Sequence, residues 1–91
     1  MVDKIRASHI LVKTEAEITD IKSQIDGGAD FSILAREHSD CPSSAKGGDL
    51  GSFGHGAMVA EFDKAAFNLE VGDVSSSVKT QFGYHLIHRT E

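Results

Sequence analysis

The sequence predicts an α+β domain built on a small antiparallel sheet. Three observations carry that reading: segments of alternating polarity near both ends of the chain, apolar residues at helical spacing between them, and a length of 91 residues, enough for one core and not two. With 40% hydrophobic and 25% charged residues, the composition excludes a disordered tail and a membrane protein. No apolar run approaches the ~20 residues that a membrane span needs.

Residues 4–13 alternate as a strand, with Ile5, Ala7, His9 and Leu11 on one face and Arg6, Ser8, Ile10 and Val12 on the other. Its second half is apolar on both faces, so it is expected in the middle of the sheet. Thr14 stands as an N-cap with Glu17 closing a capping box, and Ile18, Ile21 and Ile25 follow at helical spacing until Gly27-Gly28 ends the helix. Asp30 caps a second helix whose face is Phe31, Leu34, Ala35 and His38. Residues 39–56 hold five glycines and the single proline, a composition that suits a tight loop and not a long helix. A helical turn over 43–46 and a short strand over 50–53 are expected within it. Loops of this length in compact domains usually carry function.

Met58, Phe62, Ala65, Ala66 and Leu69 mark a further helix that ends near Gly72. Residues 74–79 and 82–89 read as the last two strands, separated by Thr80-Gln81. In the final strand Phe82, Tyr84, Leu86 and His88 alternate with Gly83, His85, Ile87 and Arg89. No repeat or linker interrupts the chain, so residues 1–91 are expected to form one domain.

Nine basic residues face fourteen acidic ones, a net charge of −5, and neither half of the chain is basic. That argues against nucleic acid as a partner. A single cysteine, Cys41, rules out an internal disulfide. The opening Met1-Val2-Asp3-Lys4 carries charge where a leader would need an apolar stretch. A cytoplasmic, monomeric protein with no membrane partner is expected on these grounds. Met1 lies close to the first strand, from which a complete stand-alone domain is expected.

His9 and His85 sit mid-strand near opposite ends of the chain, and pairing of terminal strands would bring their rings together. They read either as structural core histidines or as part of a site. Cys41, between Asp40 and Pro42, reads as a small buried hydrophobe, as a Cys/His nucleophile, or as part of a His-Cys-His metal site. The metal reading is disfavoured: close pairs such as C-x₂-C or H-x₃-H are missing, and His85 and His88, three apart on a strand, point to opposite faces. Gly47-Gly48-Asp49-Leu50-Gly51 matches neither a dinucleotide fingerprint nor a phosphate loop.

Five motifs in register resemble the parvulin family of peptidyl-prolyl cis–trans isomerases. They are His9-Ile10-Leu11-Val12; Ser39-Asp40-Cys41-Pro42-Ser43; Gly47-Gly48-Asp49-Leu50-Gly51; Met58-Val59 with Phe62 and Ala66-Phe67; and Phe82-Gly83-Tyr84-His85. The resemblance runs from about Lys4 to Arg89. It implies a parvulin fold, a four-stranded antiparallel sheet surrounded by helices in the order βα₃βαββ. It also implies catalytic positions at His9, Cys41 and His85, an apolar proline cup of Leu50, Met58 and Phe62, and neighbouring substrate contacts at Thr80 and Phe82.

The implied substrates are proline-containing polypeptides, and the implied reaction breaks no bond, so no cofactor or metal is expected. Where phosphate-directed members carry a basic cluster after the first strand, this chain has Lys13-Thr14-Glu15-Ala16-Glu17, and phospho-dependence is not expected. Two rival classes are a parvulin-fold module that binds polypeptide without catalysis and a Cys41-dependent hydrolase.

Overall fold

A computed structural model of the chain describes residues 4–91; the charged opening Met1-Val2-Asp3, on which the expectation of no leader partly rests, lies outside the described residues. Four strands form one antiparallel sheet in the order β2-β1-β4-β3: β1 is Lys4–Val12, β2 Asp49–Gly54, β3 Val78–Thr80 and β4 Gly83–Arg89. Around it lie α1 (Glu15–Asp26), α2 (Phe31–His38) and α3 (Ala60–Phe67), with a short 3₁₀ helix over Pro42–Lys46. Counting that turn as a helix, the order is the βα₃βαββ anticipated above. β1 is central, as its two apolar faces require.

Local signals set the helix ends. The Thr14 hydroxyl accepts the Glu17 N–H at 3.2 Å, which caps α1, and donates to the Glu17 carboxylate at 3.1 Å, so the two residues pair through their side chains. Asp30 Oδ1 accepts the N–H groups of Ser32 at 2.9 Å and Ile33 at 3.3 Å, which starts α2. The helices then bury opposite sides of the sheet. On one side Ile10, Val12 and Leu86 pack with Ile18 and Ile21 of α1 and Phe31, Leu34 and Ala35 of α2. On the other Ile5, Ala7 and Ile87 pack with Phe53 of β2 and with Phe62 and Ala66 of α3. Each fully buried aliphatic side chain contributes roughly 1.5–3 kcal/mol, so a single truncation removes a sizeable share of a small domain's stability.

Several boundaries differ from the sequence reading. The strand expected over 74–79 is confined to Val78–Thr80, with Val74 making a lone bridge to His88. Ser75 is the reason: its N–H donates to the Ile87 carbonyl at 2.8 Å, but its side-chain hydroxyl accepts the Ile87 N–H at 3.0 Å, so a hydroxyl takes the place of the backbone acceptor and the ladder stops. Thr80 is part of β3 and pairs with Gly83, leaving Gln81 and Phe82 as the two-residue turn of the last hairpin. α3 covers only Ala60–Phe67, and Met58 and Leu69 pack beside it from the flanking chain. β2 extends one residue beyond 50–53 at each end.

The chain closes on its own start. The Arg6 carbonyl accepts the Thr90 N–H at 2.8 Å, and the Arg6 N–H donates to the Glu91 carbonyl at 3.2 Å. The Arg6 guanidinium also bonds the carboxylates of Asp49 and Glu91.

Candidate active site

β1 and β4 pair so that Leu11 faces His85 and His9 faces Ile87. His9 and His85 are therefore diagonal neighbours on one face of the sheet, the α3 side, within reach of each other. Their Nδ1 atoms are 3.1 Å apart and their rings lie 5.3 Å between centroids, inclined by 19°. Both are buried. The Phe62 ring of α3 stands nearly perpendicular to both rings, 5.5 Å from His9 and 5.4 Å from His85.

The proton positions follow from counting donors. An Nδ1–Nδ1 bond needs one ring to donate and the other to accept, so at least one of the pair is neutral. The Thr80 hydroxyl accepts the Phe82 N–H at 3.2 Å and lies 2.7 Å from His85 Nε2. Its own proton has one acceptor within reach, that nitrogen. That favours a proton on His85 Nδ1 donated to His9 Nδ1, with the His9 proton on Nε2, a buried atom with no partner among the described residues. Electrostatics agree. Burial, and secondarily the neighbouring His85, push the His9 pKa down to about 4, and burial also lowers that of His85. Both shifts favour the neutral rings.

Backbone contacts bring Cys41 to the same face. The Asp40 N–H donates to the Leu11 carbonyl at 2.7 Å, and the Ser39 hydroxyl accepts the Leu11 N–H at 3.0 Å, so the loop is stitched to β1 two residues beyond His9. Its other end is held at Gly48, whose carbonyl accepts the His9 N–H at 2.9 Å. A Cβ at Gly48 would stand 2.3 Å from the His9 carbonyl oxygen, and φ there is +86°, so only glycine allows this approach. In β2 an extra residue between the partners of Arg6 and Ser8 makes a bulge that includes Leu50.

The result is an open cavity of about 360 Å³ whose lining is overwhelmingly apolar. His9, His85 and Phe62 form its buried end, Leu50, Met58 and Val59 its wall, and the half-exposed Cys41 and exposed Phe82 lie towards solvent. Of the eight residues singled out in the sequence, seven line this cavity: His9, Cys41, His85, Leu50, Met58, Phe62 and Phe82. Thr80 does not. It sits buried behind His85 as that ring's hydrogen-bond partner, so its contact is with the histidine pair. Sequence reasoning did not single out Leu11, Val59, Asp40 and Pro42, which also line the cavity. Leu11 shares the His9 face by simple alternation, and that signal was available. The His-Cys-His grouping weighed for a metal is not formed: among the described residues no three His, Cys, Asp or Glu side chains converge.

Comparison with known proteins adds the following. Residues 7–91 match the model of the rotamase family described as the PPIC-type PPIASE domain. The foldase protein PrsA of Geobacillus kaustophilus is 57% identical over 89 residues, which are 97% of this chain and 32% of that protein. The crystal structure of PrsA from Bacillus subtilis superposes with a TM-score of 0.95 at 49% identity, covering 98% of this chain and 35% of that one. The solution structure of NmPin, the parvulin of Nitrosopumilus maritimus, superposes with a TM-score of 0.89 at 44% identity and covers 100% of this chain and 99% of its own. The chain thus spans about a third of the length of the foldases it matches and nearly all of NmPin.

Proposed function

The chain belongs to the PPIC-type peptidyl-prolyl isomerase family, and from that premise we propose that this domain accelerates cis–trans rotation about X–Pro bonds in unfolded or flexible polypeptides. The observation that carries the reading is the apolar cavity closed at its buried end by a neutral histidine pair. An X–Pro bond has cis and trans forms within ~0.5–1 kcal/mol of each other, separated by a barrier of ~18–20 kcal/mol that reflects loss of amide resonance. At the top of that barrier the carbonyl and nitrogen are no longer conjugated and charge separation is smaller. A water-poor, apolar cup favours this less polar state over the planar amide, and that difference in binding is catalysis. About 5.5 kcal/mol of such preference gives ~10⁴-fold.

Leu50, Met58 and Phe62 are suited to hold the proline ring while the preceding segment turns. Neutral imidazoles suit this role, because a charged pair would favour the polar ground state. The tautomer chain Thr80–His85–His9 holds both rings in place and leaves the His9 Nε2–H without a partner among the described residues. We assign the histidines to holding the site's shape and Cys41 to a non-covalent contact with the rotating amide. A rotation makes and breaks no bond, so neither an adduct nor a cofactor is needed.

Phosphate is not part of the recognised group in this reading. The acidic side chain among the cavity's lining residues is Asp40, which disfavours a phosphoserine before proline, and Glu15 and Glu17 follow β1 where a basic cluster would be needed. Two-dimensional exchange NMR on a series of Xaa-Pro peptides tests the proposal. Faster exchange at catalytic protein concentrations is expected, with no gain from phospho-Ser-Pro over Glu-Pro. Saturable binding with no rate enhancement would mean that the domain only holds polypeptide. Cys41→Ala is expected to slow exchange without abolishing it; complete loss in a folded variant would favour an adduct.

A further inference from the structure

We propose that Asp63, acting with His55, is a positioning residue that latches the wall of the cup; its effect on turnover rests on the isomerase reading above. Met58 and Val59 reach the cavity from the connection between β2 and α3, a stretch outside regular structure. Asp63 grips that stretch at both ends. Its carboxylate lies 3.1 Å from His55 Nδ1 through Oδ2 and accepts the Gly56 N–H at 3.3 Å through Oδ1. Its backbone N–H donates to the Val59 carbonyl at 2.9 Å, which starts α3. Met58 hangs between the two ties.

His55 is exposed, yet its ring is fixed a second time. It stacks on Phe67 at 3.7 Å between centroids and 25° between planes. Phe67 meets Phe53 edge-on at 6.0 Å, and Phe53 in turn lies 6.2 Å from Phe62, the ring that touches both site histidines. A continuous run of aromatic contacts therefore joins the latch to the buried end of the cavity. A neutral imidazole protonated on Nδ1 donates to the carboxylate as an imidazolium does, so the latch needs no particular charge on His55.

The test reads Met58 directly. The chain has two methionines, Met1 and Met58, so methyl-labelled methionine gives two NMR signals. Asp63→Ala and His55→Ala are expected to move the Met58 methyl towards its free shift and increase its averaging. Loss of one or two hydrogen bonds is expected to raise KM for an Xaa-Pro peptide by about three- to tenfold, with kcat within about twofold. His55→Arg should restore both readings, because a guanidinium stacks on an aromatic ring and donates to a carboxylate.

Glu61→Ala removes another acid from the first turn of α3 without touching the latch, and should leave both unchanged. An unmoved Met58 methyl in Asp63→Ala and His55→Ala would overturn the proposal, as would an equal effect of Glu61→Ala. A wild-type protein that fails to isomerise any peptide would overturn the isomerase reading and leave the methyl measurement to decide the latch.

Discussion

On the α1/α2 side of the sheet, Ile10, Val12 and Leu86 pack into one apolar cluster with α1 and α2, and His88 meets that cluster at Phe31. On the α3 side, the intervening residues of the same two strands include His9 and His85, and an open cavity replaces close packing. The alternation of a single strand thus separates two demands one residue apart. One side takes up burial to hold the fold, and the other gives part of its buried area to a hydrogen-bonded polar chain and an open cup. Function in so small a domain is possible because its cost falls on one side of the sheet.

The largest test of that separation is Leu86→Ala. Leu86 is fully buried on the closed side, and its truncation is expected to cost about 2–5 kcal/mol in chemical denaturation. Isomerisation per folded molecule should be nearly unchanged. A large drop in that rate would show that the two sides are coupled through β4.

Acid provides the second test, on the open side. The unfolded His9 has an ordinary pKa near ~6.5, whereas burial holds the folded group at about 4 and lowers His85 in the same direction. The unfolded chain therefore binds more protons between those values. Stability is fully present above pH ~6.5 and is lost as pH falls towards about 4, by up to ~3 kcal/mol for His9. Denaturation midpoints measured from pH 7 to pH 4.5 should fall steadily; a flat profile to pH 5 would mean that the pair is not held neutral.

Thr80→Val gives the smallest effect and the sharpest. It keeps shape but removes the hydroxyl that bonds His85 Nε2, and an unsatisfied buried nitrogen costs roughly 1–3 kcal/mol. The imidazole nitrogen shifts of both histidines should change together, because the tautomer of one sets that of the other. A change confined to His85 would break the inferred proton chain.

The closed side was readable almost in full. Its residues follow strict local rules: period-two alternation in β1 and β4, helical spacing in α1 and α2, and side-chain caps at Thr14 and Asp30. The open side was legible in its residue types and in the family motifs, but less so in its geometry. The motifs mark Thr80 as a contact beside the cup, and only the hairpin register, with Gln81 and Phe82 in the turn, shows that its hydroxyl lies against His85 Nε2. Val74 and Val78 suggested one strand, but the Ser75 hydroxyl replaces a ladder bond, a choice that local composition does not encode. Met58 keeps helical spacing with Phe62 while standing outside the helix. Each of these depends on contacts between segments distant in sequence, which spacing along the chain does not report.

The hydrogen bonds from Thr90 and Glu91 back to Arg6 have an architectural consequence. Arg6 in β1 and the last two residues lie side by side at one corner of the sheet. A unit of this kind can be spliced into a host chain without forcing the host's flanking segments apart, since its two ends impose a short fixed gap and not a span across the domain. The PrsA foldases carry a unit this similar within a chain about three times as long.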